Sequence, residues 1–256
     1  MLLRRVIDHI KAQNWTAVTL DFVVVVLGVF IGFQASNWND ERLELQKAYA
    51  FDDRLIADMR AEAVLYGDTE TYYRSVLHNA EATLLALTDE NELDDHQLLV
   101  SAFRATQFFW YSRRRAAYDE LEATGDLNLI FDDQLRETAI LYYNADFIDK
   151  MSENSENSLY KIEFGKTAPP KVHQQLRERC GGRALTEENF ADRGVTIDYE
   201  CALDLPAEDI VEAVAALKQN DALAPALRLR IADVSTAIAN LAENKRLFDF
   251  LREYDW

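Results

Sequence analysis

The chain has 256 residues, of which 49% are hydrophobic and 28% charged, so it is long enough for one large or two small domains in addition to a membrane segment. Its formal net charge is −18 at pH 7, and all of the acidic excess lies after residue 38. Such a surface would repel the phosphate backbone of a nucleic acid, which disfavours nucleic-acid binding. It would also keep the soluble part of the chain away from anionic lipid headgroups.

Residues 15–38 predict a helix that spans a membrane. From Thr16 to Ser36 the chain offers about 21 residues, roughly 31 Å of helix, and Asp21 carries the only charge. Trp15 and Trp38 stand at the two ends, where tryptophan is typical of the membrane–water interface. The sequence therefore predicts a single transmembrane helix with an aromatic anchor at each end.

The orientation follows from the basic residues that precede this helix, which are Arg4, Arg5 and Lys11. Because basic residues favour the cytoplasmic side, we expect the N-terminus in the cytoplasm and the rest of the chain across the membrane. A cleaved signal peptide is the alternative, but the apolar run is long, contains a carboxylate and has no small-x-small cleavage site. The predicted segments are a cytoplasmic N-terminus, a transmembrane helix and an extracytoplasmic helical domain, over residues 1–14, 15–38 and 39–256.

One face of the predicted span combines small residues with the carboxylate. At 100° per residue this face carries Ala17, Asp21, Val25, Gly28, Gly32 and Ala35. Gly28 and Gly32 form a GxxxG step that lets a second helix approach closely, although glycine is also common in membrane helices generally. We therefore take Asp21, Gly28, Gly32 and Ala35 as a candidate transmembrane interface.

Asp21 itself needs an explanation, because a lone charge in the apolar run costs at least a few kcal/mol unless it is paired, protonated or close to the surface. One interpretation is a proton or ion relay. The other is a carboxylate near the cytoplasmic interface that pairs with a basic residue or fixes the depth of the helix. Thr16 and Thr19 favour the second interpretation, because they indicate that the first turns are only partly buried.

Beyond the span, apolar residues recur at helical spacing, which predicts an all-α bundle. We expect a first helix from Asn39 to about Tyr66. Gly67 and Asp68 would end it, with Asp68 capping a second helix that returns as an antiparallel hairpin. Asp94 is expected to cap a third helix.

An unusual stretch of aromatic and basic residues follows the third helix. Its members are Phe108, Phe109, Trp110, Arg113, Arg114 and Arg115. Aromatic faces beside guanidinium groups can hold an anionic or planar ligand or a partner, which makes this stretch a candidate binding patch. The alternative is a set of core aromatics followed by a solvated helix start. Arginines in a first helical turn oppose the helix dipole, so acidic partners are expected for them.

Turn residues divide the rest of the chain. Gly125 is expected to end one helix, and Asp132 or Asp133 to cap the next. Pro169 or Pro170 suits the first position of a further helix. Prolines at 206 and 225 are expected to start the last two helices, the second of which is either a bundle helix or a coiled-coil seam, and we favour the bundle.

The chain contains two cysteines, Cys180 and Cys201, and the predicted topology places both outside the cytoplasm. Pairing is therefore chemically permitted, and the bridge would close a loop of roughly 22 residues. Within residues 181–201 the apolar side chains alternate along the chain, which predicts a short β element. The spacing of the cysteines matches no redox or zinc motif.

Two groups of residues resemble an uncharacterised family of bacterial single-span membrane proteins. The first lies in and after the anchor and comprises Asp21, Gly28, Ile31, Gly32, Gln34, Asn37, Trp38, Asn39 and Arg42. The second comprises Tyr118, Leu121, Gly125, Leu127, Leu129, Ile130, Leu135, Arg136, Tyr142 and Tyr143. Together the two regions cover about a third of the chain. The resemblance implies an inner-membrane anchor with a helical periplasmic domain, and it supplies no mechanism.

A looser similarity links the segment Leu20–Gly28 to the acidic membrane helices of ion-driven stator and energy-transducing subunits. The periplasmic domains of those proteins are usually mixed α/β modules, whereas this domain is expected to be nearly all helix. An ion-coupled subunit that uses Asp21 is therefore the second hypothesis for function.

The sequence contains no GxSxG, P-loop, HExxH or Rossmann pattern, and its four histidines have no metal-ligand spacing. We therefore expect no enzymatic activity, no cofactor and no metal. The leading hypothesis is a membrane-anchored protein that binds a partner, acts as a scaffold or serves as an accessory subunit. Its expected contacts are the lipid bilayer and, through the transmembrane helix, a second copy or another membrane protein.

Overall fold

The computed structural model describes residues 15–88, 93–109, 113–184 and 194–253, without the side chains of 15–18, 21, 252 and 253. The chain divides into two compact units, the first ending at Asp52 and the second beginning at Asp53. The described chain is almost entirely helical, so the predicted all-α class is confirmed.

The helices in chain order are α1 Trp15–Leu87, α2 Asp95–Arg104, α3 Ala116–Thr124, α4 Asp133–Asn144, α5 Phe147–Glu156, α6 Leu159–Thr167, α7 Pro170–Cys180, α8 Ala207–Gln219 and α9 Leu223–Lys245. Short 3₁₀ segments cover Leu127–Leu129 and Arg246–Glu253. Two short antiparallel strands, β1 Arg183–Ala184 and β2 Val195–Thr196, pair with Ala184 opposite Val195.

The first unit contains the apolar part of α1. Its most apolar 18-residue window has a mean hydropathy of 1.5, and none of that window is buried. Within the described residues this is the one helix that is long and apolar enough to cross a membrane. Side chains such as Phe22, Ile31 and Phe33 are between 64% and 68% exposed, which would be unfavourable in water and suits a lipid environment.

The predicted hairpin at Gly67 is wrong, because α1 continues through Gly67 and Asp68 to Leu87. A glycine inside a helix costs about 1 kcal/mol relative to alanine. Burial offsets that cost here, since Tyr66 on one side of the glycine and Tyr73 on the other are both buried in the second unit. The apolar stripe therefore runs through the position where local sequence alone predicted a break.

The core of the second unit lies between helices that are distant in sequence. Helix α9 packs along α6, and α2 packs against α7 and α8. Side chains that fill this core include Leu98, Leu99, Phe103, Tyr160, Phe164, Leu176, Leu217 and Leu227. Helix α9 buries its apolar face inside this unit. Within the described chain it is therefore a helix of the bundle, as we favoured over a coiled-coil seam.

Several predicted helix boundaries are confirmed. Asp94 accepts a hydrogen bond from the backbone amide of Gln97, whose side chain accepts one from the amide of Asp94, so the two form a capping box. Gly125 ends α3 in the left-handed conformation with φ 74°, which favours glycine. Asp132 is the residue that caps α4, through the amide of Leu135.

The predicted disulfide between Cys180 and Cys201 is present. It joins the last residue of α7 to the chain that leaves β2, and the small β element lies inside the resulting loop. The predicted strand is confirmed but shorter than the alternation suggested. It stops before Tyr199, whose hydroxyl donates to the carbonyl of Arg179 at 3.1 Å and so ties the chain back to the end of α7.

Candidate functional site

The candidate transmembrane interface lies on the exposed surface of the first unit. A Cβ atom added at Gly28 or Gly32 would meet no atom within 4 Å among the described residues, so packing inside the chain does not require either glycine. Ala35 is exposed, and Trp38 is 66% exposed. The side chains of Asp21 and Trp15 lie outside the described part of the structure. The exposed stripe leaves space for a second helix.

The aromatic half of the candidate binding patch is mainly internal. Phe109 is 7% exposed and packs at 5.7 Å from the ring of Tyr72. Phe108 is half-buried, and the ammonium group of Lys161 lies 4.5 Å from its ring centroid. Trp110 falls outside the described residues. The described aromatics therefore support the core interpretation of this stretch, not an open ligand surface.

Arg113 stabilises the end of a helix. Its side chain is 8% exposed, and Nη1 donates to the carbonyl oxygens of Tyr142 at 3.3 Å and Ala145 at 2.8 Å, at the C-terminus of α4. Its Nη2 donates to Asp149 at 2.7 Å. A cation that satisfies the last carbonyls of a helix also opposes the negative end of the helix dipole.

Arg114 and Arg115 lie at the start of α3, where Arg115 has no capping side chain of its own. Carboxylates from α1 replace that cap. Glu62 accepts from the backbone amide of Arg114 at 2.6 Å, and Asp58 accepts from the amide of Ala117 at 3.4 Å. The Arg115 guanidinium pairs with Asp119 at 2.6 Å. The expected acidic partners are therefore confirmed for Arg113 and Arg115.

Glu62 was missed as a site residue by sequence reasoning, yet it is fully buried and holds together a group of tyrosines. The hydroxyl of Tyr142 donates to Glu62, and the hydroxyl of Tyr143 donates to the carbonyl of Arg114 at 2.8 Å. A signal was available, because Glu62 lies seven residues after Leu55 and three after Met59 on the buried face of α1.

The electrostatics of this cluster keep its phenols neutral. Burial raises the pKa of Tyr66 and of Tyr143 well above the ordinary value, and the negative charge of Glu62 adds to the shift in each case. Neutral phenols remain hydrogen-bond donors at physiological pH. The cluster therefore has the properties of a structural network that joins α1, α3 and α4.

Arg230 on α9 is the most deeply buried cation among the described residues, with 1% exposure. Its Nε donates to the carbonyl of Ala105 at 3.2 Å and its Nη2 to the carbonyl of Gln107 at 2.7 Å, while Nη1 donates to Ser155 Oγ at 3.1 Å. No carboxylate of the described chain forms an ion pair with it. Burial accordingly lowers the pKa of the Arg230 guanidinium.

Arg230 holds the segment 105–109 in place together with side chains from α1 and α5. The hydroxyl of Tyr72 lies 3.4 Å from the carbonyl oxygen of Phe108, and Ser152 Oγ lies 3.5 Å from that of Phe109. These carbonyls have no helical partner, so side chains satisfy them instead. The backbone of this part of the predicted patch is therefore bound within the chain.

A groove of about 720 Å³ lies between α5 and α9 on the surface of the second unit. Its walls carry Asn154 and Asn157 from α5 and its C-terminal turn, and Asp233 and Asn240 from α9. Ser155, whose hydroxyl accepts a hydrogen bond from Arg230, also lines the groove. The size falls within the range of ligand-binding clefts. The sequence did not predict this groove, because the two helices that form it are about 75 residues apart in the chain.

No group of three or more His, Cys, Asp or Glu side chains in the described residues is placed to hold a metal ion. Comparison with known proteins found no matching family model, no matching curated protein and no matching solved structure.

Proposed function

We propose that the protein is a single-pass protein of the bacterial inner membrane, with its N-terminus in the cytoplasm and its helical domain in the periplasm. The observation that carries the proposal is the apolar window of α1, none of which is buried. A helix of a water-soluble core would bury such side chains, whereas a membrane helix exposes them to lipid.

Two further observations support the orientation. Arg4, Arg5 and Lys11 precede the apolar helix, as expected for a cytoplasmic N-terminus. The disulfide between Cys180 and Cys201 lies in the second unit, and disulfides persist in oxidising compartments such as the periplasm. An acidic domain would also stand away from the anionic lipid surface.

In this role the domain acts as a non-enzymatic scaffold or accessory subunit. The buried polar groups described above are engaged in holding helices together, and the exposed stripe of Gly28, Gly32 and Ala35 suits a contact with a second transmembrane helix. The partner in the membrane is a second copy of the chain or another membrane protein.

A reporter fusion tests the orientation. Alkaline phosphatase fused after Trp256 should be active in cells, because it acquires its disulfides only after export, while a fluorescent protein that folds only in the cytoplasm should be dark at the same position. The matched control places each reporter after Asn14, where the two results should be reversed. Phosphatase activity at Asn14 and none at Trp256 would overturn the topology.

Retention in the membrane is tested separately by alkaline carbonate extraction followed by mass spectrometry. A retained anchor predicts an intact chain in the membrane pellet. A shortened, soluble chain in the periplasmic fraction would show that residues 15–38 belong to a cleaved signal peptide, and the anchor proposal would fail.

A further inference from the structure

We propose that the groove between α5 and α9 binds an extended peptide segment of a partner protein, with a cationic side chain next to an apolar one. The inference deepens the proposed partner-binding role and rests on it. It starts from a set of polar side chains that face this groove without an intramolecular partner.

Three asparagines contribute their side-chain amides to the groove. Asn154, Asn157 and Asn240 line the groove and are exposed, and no hydrogen bond within the described chain engages their side-chain amides, so these amides are open to a ligand that displaces water. An asparagine amide carries both a donor and an acceptor, so it can pair with the N–H and C=O groups of a peptide main chain. Amides on both walls can therefore bind an extended backbone without selecting its side chains.

The charge of the groove indicates a cationic side chain on the peptide. Lys150 at the rim is already paired with Asp146 at 2.6 Å. The carboxylate of Asp233 on the opposite wall forms no ion pair or hydrogen bond within the described chain, apart from a longer-range attraction to Arg230. The charge in the groove that no ion pair neutralises is therefore negative, and the formal net charge of the whole chain is −18. A lysine or arginine of the partner would complement both.

An apolar side chain is indicated by two leucines at the edges of the groove. Leu159 is 49% exposed and Leu229 is 51% exposed, and they come from α6 and α9, which pack against each other. These leucines lie beside hydrogen-bonding groups, so together they offer an apolar surface on which a side chain of a bound peptide can be buried.

A saccharide is the competing ligand, because asparagine and aspartate also bind sugar hydroxyls. Aromatic faces usually provide stacking surfaces for sugars, and the groove contains one aromatic residue, Phe147, which is half-buried. The two exposed leucines suit a peptide side chain better than a polar sugar ring. The observations therefore favour the peptide.

The test uses the full chain in mild detergent, immobilised and panned against a phage library of random 12-residue peptides. We expect the enriched peptides to place Lys or Arg within three residues of an apolar side chain. A synthetic peptide with the enriched sequence should then bind about two- to fivefold more weakly to Asp233→Asn, as for an exposed ion pair, and about tenfold more weakly to Leu229→Ala. Asn154→Ala combined with Asn240→Ala should also weaken binding.

Matched controls lie outside the groove. Asp221→Asn removes an exposed carboxylate just before α9, and Leu141→Ala removes a leucine that is 63% exposed on α4. Both should bind the peptide as the unmodified chain does. Equal effects of groove and control variants, or no enrichment of cationic–apolar peptides, would overturn the proposal.

A competition arm distinguishes the saccharide. A tetramer of N-acetylglucosamine should leave the bound peptide in place, and displacement of the peptide at millimolar tetramer would assign the groove to a glycan instead. The binding assay does not depend on membrane orientation. If peptide binding fails but the reporter fusion gives the expected result, only the proposal of a peptide-binding groove is rejected. If the reporter fusion fails, the proposed localisation is rejected.

Discussion

The carboxylate of Glu62 accepts a hydrogen bond from the backbone amide of Arg114 at 2.6 Å, although 52 residues separate them. This contact places a fully buried acid of α1 at the amino end of α3, where the unpaired amides and the positive end of the helix dipole both favour a negative charge. Tyr142 donates to the same carboxylate from α4. One side chain therefore links three helices.

Replacing Glu62 should destabilise the domain. Glu62→Ala leaves the Arg114 amide and the Tyr142 hydroxyl without this acceptor in a buried site, and we expect a loss of about 2–4 kcal/mol in the free energy of unfolding. Glu62→Gln keeps one acceptor and should lose less. Denaturant titration followed by circular dichroism measures both. The exposed Glu81→Ala on the same helix is the control, and an equal effect there would contradict the role of Glu62.

Arg230 should be needed for the fixed conformation of the segment 105–109. Arg230→Met fills the space but leaves the carbonyls of Ala105 and Gln107 without their donors, so unfolding should become easier by about 2–3 kcal/mol. Limited proteolysis should then cut near Gln107. Arg228→Met changes an exposed arginine of the same helix and should leave both stability and the digestion pattern unchanged.

The disulfide should be resistant to reduction in the folded protein, because Cys180 is fully buried. We expect neither cysteine to react with maleimide until the protein is both unfolded and reduced, and the oxidised and reduced forms to migrate differently on a gel. Replacing both cysteines by serine should cost about 3 kcal/mol, as expected for a loop of this length. Two reactive thiols in protein purified from membranes would disprove the bridge.

His173 should contribute to the pH dependence of stability. Partial burial, and then the charge of Arg177, lowers the pKa of His173 below the ordinary value for a histidine. Above that value both the folded and unfolded forms hold neutral imidazole. As the pH falls below it, the unfolded chain takes up a proton first, so stability decreases until the folded pKa is passed.

The measurement is the melting temperature between pH 7.5 and 5. His173→Gln should show a shallower decrease than the unmodified chain over this interval. His78→Gln, which replaces an exposed histidine of α1, should follow the unmodified curve. If melting temperature varies with pH in His173→Gln as it does in the unmodified chain and in His78→Gln, this histidine does not control the pH dependence of stability.

The glycines of the span should matter for association and not for folding. Gly28→Ile combined with Gly32→Ile adds side chains into open space within the chain, so the helix should still insert. The same side chains would separate two helices that pack through this stripe, and association in a membrane two-hybrid assay should be lost. Phe30→Ile on the opposite face is the control. Association that survives the glycine replacements would count against the stripe as a contact.

Features governed by local sequence were the ones that could be predicted. Asp94, Gly125 and Asp132 act through hydrogen bonds or backbone conformations within a few residues, and composition alone reveals the apolar helix. The disulfide followed from the predicted compartment and from the presence of two cysteines. None of these predictions required knowledge of which helices meet.

Features that depend on tertiary contacts were predicted poorly or not at all. Local propensity placed a break at Gly67, but burial of Tyr66 and Tyr73 carries the helix through it. Arg113 was predicted as part of a binding patch, whereas it binds carbonyls about 30 residues later in the chain. The groove was not predicted, because it exists only where α5 and α9 come together.

The contact of Arg230 with the carbonyl of Ala105, over a sequence separation of 125 residues, has a consequence for biosynthesis. A chain that emerges from the ribosome from its N-terminus completes α2 and the segment after it long before α9 exists. Until α9 arrives, these carbonyls must be solvated, and the neighbouring aromatics lack part of their packing. The nascent domain therefore depends on its late helix to close, and products that end before α9 should be the preferred substrates of quality-control proteases.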